Sequence, residues 1–301
     1  MAEQERAENR QKCGLVMEGG AMRGMFTAGV TDVLMEEGIT FDAGVGTSAG
    51  AAFGCNFVSK QPYRARRYVV RFCKDYRFCS LMSLILTGDL YGSEYGYHTI
   101  PENLDKFDYE AFEKNPMEFF CTATDVLTGQ AVYHRFSDCR GDDALWLEGS
   151  ASMPLVSRPK QVNGRALLDG GITDPSPLAF LEKQGYERNV VVLTRSLSYR
   201  KKPMKGMAAV SLALRKYPAI VRALETRHDL YNAQVRFIRQ REAEGKAFVI
   251  RPFAEVNIGA TCHDRAELKR VYGMGRQAAT ERMSALKEWM REGEDSIEKI
   301  R

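Results

Sequence analysis

Two short apolar runs, each stopped by a glycine turn and each followed by a helix-like stretch, constrain this chain more than any other feature. Residues 13–17 (CGLVM) stop at Glu18-Gly19-Gly20, and residues 25–37 (MFTAGVTDVLMEE) then space apolar side chains at 26, 30, 33 and 34 before Gly38. A second apolar run, 39–45 (ITFDAGV), breaks at Gly46-Thr47-Ser48-Ala49-Gly50. AGAAFGCNFV follows, small and apolar as a helix buried against a sheet would be. Strand, turn and helix, repeated twice, predict a parallel α/β unit.

Later segments fit the same class. Residues 117–126 (MEFFCTATDV) and 129–136 (GQAVYHRF) read as two strands with Leu127-Thr128 near the turn, 164–171 (GRALLDGG) as a strand ending in a turn, and 189–195 (NVVVLTR) and 246–252 (KAFVIRP) as two more. Residues 264–292 read mostly as one long helix, interrupted around Gly273 and Gly275. With 301 residues the chain buries a sizeable core without staples. Its seven cysteines form no C-x-x-C pair and no zinc-spaced cluster, which predicts reduced thiols, no structural metal and a cytoplasmic setting. The polar residues 1–12 lack the apolar stretch of a signal peptide, and no run suits a transmembrane helix. A net charge of +4 gives no reason to expect nucleic acid as a partner.

Between Arg195 and Arg241 the composition shifts. Twelve basic residues stand against only Glu225 and Asp229, and apolar residues recur at 207, 210, 214, 217, 221 and 224. One reading is a solvated helix pair packed on the core. The other is a basic amphipathic cap making peripheral contact with an anionic membrane.

The Gly46-x-Ser48-x-Gly50 turn follows a strand and opens a small-residue helix, the context that a nucleophile elbow requires. The helix start also offers amides and a positive dipole end to a developing oxyanion. A plain tight turn or a phosphate-binding helix start fits the same pattern. The loop Gly19-Gly20-Ala21-Met22-Arg23-Gly24 can turn several backbone N–H groups toward one point. As a dinucleotide fingerprint it fails where Ala21 stands in place of the second glycine, although Asp42 lies near the expected acidic position. As an oxyanion hole it needs the two strands to be sheet neighbours.

Ser48 also needs a proton acceptor. An α/β-hydrolase order would use His228 or His263, whereas His98 and His134 come too early in the chain. The alternative is a carboxylate. Leu167-Leu168-Asp169-Gly170-Gly171 puts an acid at a strand end, and in a parallel sheet the carboxyl ends of the strands carry the ligand site. A partly desolvated Asp accepts protons nearer neutrality. An Asp that only caps its own Asp-Gly turn is the plainer reading.

These blocks together resemble the patatin-like phospholipases. Gly19-Gly20-x-x-Arg23-Gly24, Gly46-Thr47-Ser48-Ala49-Gly50 and Asp169-Gly170-Gly171 occur in that family's order. Ala151-Ser152-Met153-Pro154 looks like its A-S-x-x-P block, and Pro175 and Pro177 follow the Asp turn as in that family. The likeness spans residues 13–195 and is strongest to bacterial single-domain members. It implies a three-layer α/β/α fold with a mostly parallel sheet, here one domain over 1–301: a tail (1–12), a catalytic core (13–195), a basic helical cap (196–245) and a C-terminal strand and helix (246–301). It implies a Ser48–Asp169 dyad without histidine, with Gly46, Thr47, Ala49 and Gly50 forming the elbow and Gly170 and Gly171 the Asp turn. The oxyanion hole would come from backbone amides of Gly19, Gly20, Ala21, Met22, Arg23 and Gly24. The chemistry implied is hydrolysis of lipid acyl esters, of phospholipase A or lysophospholipase type, through an acyl-enzyme with no cofactor and no metal. A non-catalytic lipid-binding protein on the same fold is the competing expectation.

Overall fold

The computed structural model describes residues 11–298. The polar tail expected over 1–12 therefore lies, up to residue 10, outside the described residues. Eight strands form one sheet: β1 (Cys13–Met17), β2 (Ala43–Thr47), β3 (Glu118–Asp125), β4 (Ala131–Arg135), β5 (Lys160–Val162), β6 (Arg165–Asp169), β7 (Arg188–Val192) and β8 (Ala247–Ile250). β8, β7, β1, β2 and β3 run parallel. β1 and β2 are direct neighbours, with Met17 opposite Gly46.

β3 governs the other half of the sheet. Residues 120–122 of β3 pair with both β2 and β4, while residues 123 and 124 pair with both β4 and β6. A strand has only two edges, so β4 takes one edge, and β2 and β6 share the other. They meet there end to end. Thr47 closes β2 opposite Thr122, and Asp169 closes β6 opposite Ala123. β6 is antiparallel, which departs from the parallel arrangement expected of the Asp169 strand. Asp169 reaches the level of Ser48 because β6 descends along β3 toward the end of β2, not because it rises beside it.

The strands alternate their side chains between two faces. Leu15, Met17, Phe119, Cys121, Val190 and Val192 pack against helices α1 (Gly24–Glu36) and α2 (Ala49–Val58) and later helices on one side. Val16, Val45, Phe120, Val191 and Val249 face Leu178 and Leu181 on the other. The result is three layers. Helices α3 (Arg64–Phe72), α4 (Leu81–Thr87) and α5 (Tyr109–Glu113) fill the long β2–β3 connection, together with a helical segment at Tyr95–Leu104. α6 (Asp142–Ala151) and α7 (Leu178–Lys183) flank β5 and β6.

The basic segment forms two helices, α8 (Met207–Ala213) and α9 (Pro218–Ala243), split at Tyr217 because Pro218 starts the second helix. Val210, Leu214, Ile220 and Leu224 bury against Val126, Leu168 and Ile172, so the pair is packed onto the core directly above β6. The last helix, α10 (Arg265–Glu298), is continuous, and the interruption expected near Gly273 and Gly275 is absent. Gly275 instead marks a close helix crossing. A Cβ there would stand 2.0 Å from the Phe26 carbonyl oxygen, and one on Gly29 of α1 would stand 2.2 Å from the Tyr272 carbonyl oxygen. Tyr272 OH also donates to buried Asp32 at 2.6 Å. No described helix is long and apolar enough to cross a membrane.

Candidate active site

Ser48 sits between β2 and α2 with φ 54° and ψ −121°, a backbone state that a non-glycine residue holds only when its surroundings impose it. Gly50 permits the bend. A Cβ there would lie 2.3 Å from the Met17 carbonyl oxygen, so only glycine lets α2 start this close to β1. Gly46 is the fourth residue of β2, and Thr47 Oγ1 donates to the Asp174 carbonyl at 2.9 Å. Ser48 N donates to Ser150 Oγ at 2.9 Å, and Ser150 Oγ donates to the Thr122 carbonyl at 2.6 Å. Ser150 on α6 thereby bridges the bent elbow back to β3.

Ser48 Oγ donates to Asp169 Oδ2 at 3.0 Å. Asp169 Oδ1 accepts from Gly171 N at 2.6 Å, and Thr124 Oγ1 donates to the Asp169 carbonyl at 2.8 Å. Gly170 and Gly171 open a single tight turn after the acid. Both Ser48 and Asp169 are buried. Burial pushes the Asp169 carboxyl above its ordinary value, while the Arg227 charge, the Gly171 amide and the Ser48 hydroxyl pull it back. The pair can therefore pass a proton from a hydroxyl to a carboxylate of increased basicity.

No described histidine hydrogen-bonds Ser48. His98 bonds Glu148 at 2.9 Å, and His134 bonds Asp143 at 2.6 Å while stacking on Trp146. His228 lies beside Asp229 on α9, and His263 bonds the Cys73 carbonyl.

The glycine loop lies next to Ser48, as the pairing of β1 with β2 requires. Gly19 N is committed to the Pro175 carbonyl at 3.1 Å, and Arg23 N to the Gly20 carbonyl at 3.0 Å. Ala21 and Met22 follow in a short 3-10 turn, and Gly24 begins α1. The amides of Gly20 and Ala21 donate to no described backbone acceptor outside a helix or strand. Ala49 opens α2, where first-turn amides lack intrahelical partners. Asp42, which a dinucleotide reading needs near the loop, precedes β2 and accepts from Cys13 N at 2.8 Å, at the opposite end of these strands.

Two clefts meet at Ser48. One is apolar, lined by Phe53, Tyr68, Val69, Phe78, Tyr91 and Tyr97. The other holds Glu18, Arg23, Asp169, Arg195, Lys201 and Arg227. Ala21, Ser48 and Met153 line both. Several of these residues carried no signal in the sequence. Glu18 is fully buried, accepts from Thr194 Oγ1 at 3.0 Å and from Tyr231 OH at 2.8 Å, and so ties β1 to β7 and α9. Arg227 Nε donates to the Gly171 carbonyl at 2.6 Å. Their side-chain types are common, and only the placement of the cap over β6 brings them to the site.

The patatin-like phospholipase family model matches residues 15–181, more than half of the chain, and a domain of unknown function (DUF6363) matches residues 217–291. The Escherichia coli (strain K12) protein named uncharacterized protein YjjU is 30% identical over 198 residues, 61% of this chain and 52% of that protein. Lysophospholipase NTE1 of Meyerozyma guilliermondii is 26% identical over 199 residues, 64% of this chain and 13% of that protein. The chain thus spans about half of the first relative and a small part of the second. Among solved structures, VipD from Legionella pneumophila aligns with 90% of this chain and 67% of its own at 12% identity and a TM-score of 0.43.

Proposed function

The chain belongs to the patatin-like phospholipase family, and on that premise we propose that it is a serine hydrolase of lipid acyl esters that works through Ser48 and Asp169. The observation that carries this reading is the 3.0 Å hydrogen bond from the hydroxyl of Ser48, whose backbone is strained, to a buried carboxylate whose basicity is raised. In the cycle, Asp169 takes the Ser48 proton as Oγ attacks the acyl carbonyl. The carbonyl oxygen collects negative charge facing the amides of Gly20, Ala21 and Ala49, at the loop and the start of α2. Collapse breaks the ester C–O bond, and Asp169 returns the proton to the leaving alkoxide. A water, deprotonated by Asp169, then attacks the acyl-enzyme, and the proton passes to Ser48 as the carboxylic acid departs.

The apolar cleft suits the acyl chain, and the polar cleft suits the alcohol. Contact with a lipid surface is best supported on α4, where Leu81, Met82, Ile85 and Leu86 are all more than half exposed, next to the Phe78 and Tyr91 wall of the apolar cleft. The basic cap is the second candidate face for an anionic bilayer. Liposome flotation of the Leu81→Ser/Ile85→Ser variant tests the α4 contact, and undiminished flotation rejects it.

A fluorophosphonate probe tests the central claim. Labelling at Ser48, abolished in Ser48→Ala, is the expected result. Folded protein that neither labels nor cleaves p-nitrophenyl butyrate would leave the competing reading, a lipid binder on a hydrolase fold.

A further inference from the structure

The polar cleft beside Ser48 is unusual in its charge. Arg23 enters from the glycine loop, Arg195 and Lys201 from the connection after β7, and Arg227 from α9. All four are half-buried. Arg195 alone forms a described salt bridge, with Glu255. Arg227 spends its Nε on the Gly171 carbonyl, and Arg23 Nε is buried with no hydrogen-bond partner. Two carboxylates face the same cleft. Glu18 is already taken by Thr194 and Tyr231, and Asp169 by Ser48 and Gly171. Glu18, Asp169 and Glu255 offset part of this charge, yet the four cations outnumber the carboxylates around them and the excess repels. Burial with the Arg227 and Arg23 charges holds the Lys201 ammonium down to about 8, and burial with Arg195 lowers Arg23. A structure retains such a cluster at a site for anions, where an arriving negative charge relieves the repulsion.

Taking the hydrolase reading as its basis, we propose that Arg23, Arg195, Lys201 and Arg227 form a phosphate subsite for the alcohol half of the substrate, so that the preferred substrate is a single-chain acyl ester carrying a phosphate monoester close to the ester bond. The geometry sets the order of the parts. The apolar cleft and the cationic cleft meet only where Ala21, Ser48 and Met153 line both, so a molecule spanning them presents its ester at Ser48, with the chain on one side and the phosphate on the other. A phosphate monoester brings close to two negative charges and three acceptor oxygens, which several separate donors can share. A choline headgroup would carry a quaternary cation toward the same four cations, and a neutral glycerol would leave them unrelieved. Aromatic rings near the cluster do not change that preference, because Tyr199 and Tyr231 already stack with Arg195 and Lys201.

The test compares kcat/KM for 1-acylglycerol 3-phosphate, 1-acylglycerophosphocholine and 1-monoacylglycerol of one chain length in neutral detergent micelles. The phosphate monoester is expected to lead by about tenfold or more, mostly through KM. In Lys201→Glu the order should reverse toward monoacylglycerol, and Lys201→Arg should restore the phosphate preference. Equal kcat/KM for the three lipids, or a ratio that Lys201→Glu leaves unmoved, overturns the subsite. Inorganic phosphate separates a headgroup site from an effector site. Competition against the phosphorylated lipid, raising KM alone, supports the proposal, whereas phosphate that accelerates monoacylglycerol turnover marks a free-anion effector site and overturns it. Failure of the hydrolase reading looks different, since all three lipids and the fluorophosphonate probe would then be inert.

Discussion

Arg227 reaches down from α9 and donates to the carbonyl of Gly171 at 2.6 Å, while the N–H of Gly171 donates to Asp169 at 2.6 Å. The cap helix and the acid are therefore joined through one residue, Gly171. The Arg227 charge also opposes the upward shift that burial imposes on Asp169. In its proposed role of general base Asp169 acts when deprotonated, so kcat/KM should rise with pH through the Asp169 pKa, above the ordinary carboxylate value of 3.8. Replacing Arg227 with Met removes a lowering influence. The acid limb of the pH–rate profile should then move to higher pH, and an unmoved limb would separate Arg227 from the acid.

Asp169→Asn should abolish turnover and stabilise the fold. A carboxyl whose pKa is raised on folding contributes stability that is fully present below the unfolded pKa and lost as pH rises through the folded one. At any pH above its folded pKa the buried Asp169 carboxylate is past that window and costs stability. The neutral amide avoids this cost and keeps an acceptor for the Gly171 amide. The expected outcome is a higher Tm at a pH above the acid limb of the wild-type profile, with kcat/KM down by about ten-thousandfold. A lower Tm would mean that the charge is stabilised by more than its described neighbours.

Alanine at each histidine in turn should spare catalysis. His228→Ala and His263→Ala are expected to keep p-nitrophenyl butyrate turnover within about threefold, because neither ring bonds Ser48: His228 lies beside Asp229, and His263 bonds the Cys73 carbonyl. His134→Ala should instead lower the thermal midpoint. It removes a partner of buried Asp143 and a ring stacked on Trp146, a loss of about 1–3 kcal/mol. Loss of activity in folded His228→Ala or His263→Ala would argue for a triad.

Gly273 and Gly275, two of the three glycines of α10, should respond oppositely to alanine. Gly275→Ala forces a methyl to within 2.0 Å of the Phe26 carbonyl oxygen and should cost about 1–3 kcal/mol in urea denaturation. A Cβ at Gly273 meets nothing within 4 Å, so Gly273→Ala should stabilise by about 1 kcal/mol. Equal effects would contradict the close crossing of α1 and α10.

The sequence made the first βαβ unit legible because hydrophobic period and glycine turns are local signals. Ser48 stood out for the same reason. Asp169 was legible as an acid at a strand end, but the direction of that strand was not, since strand polarity depends on pairings with β3 and not on composition. The continuous α10 was hidden because a glycine that weakens an isolated helix looks identical to one that admits a neighbouring backbone. Ser150, Glu18 and Arg227 gave no signal at all. Serine, glutamate and arginine are ordinary on helices and at strand ends, and their roles come from contacts 102, 213 and 56 residues away in the chain.

The shared edge of β3 has one more consequence. Thr122 and Ala123, adjacent on one strand, set the spacing between the end of β2 and the end of β6. A one-residue slip of β6 would offer Leu168 or Gly170 where Asp169 stands and would carry Leu167 and Leu168, buried on opposite faces, out of their own clusters. Misregistered molecules would be compact, soluble to the eye of a sizing column, and silent toward an active-site titrant. In the proposed hydrolase, the fraction of serine that an active-site titrant labels would therefore report the register of one short hairpin, which a measure of compactness does not.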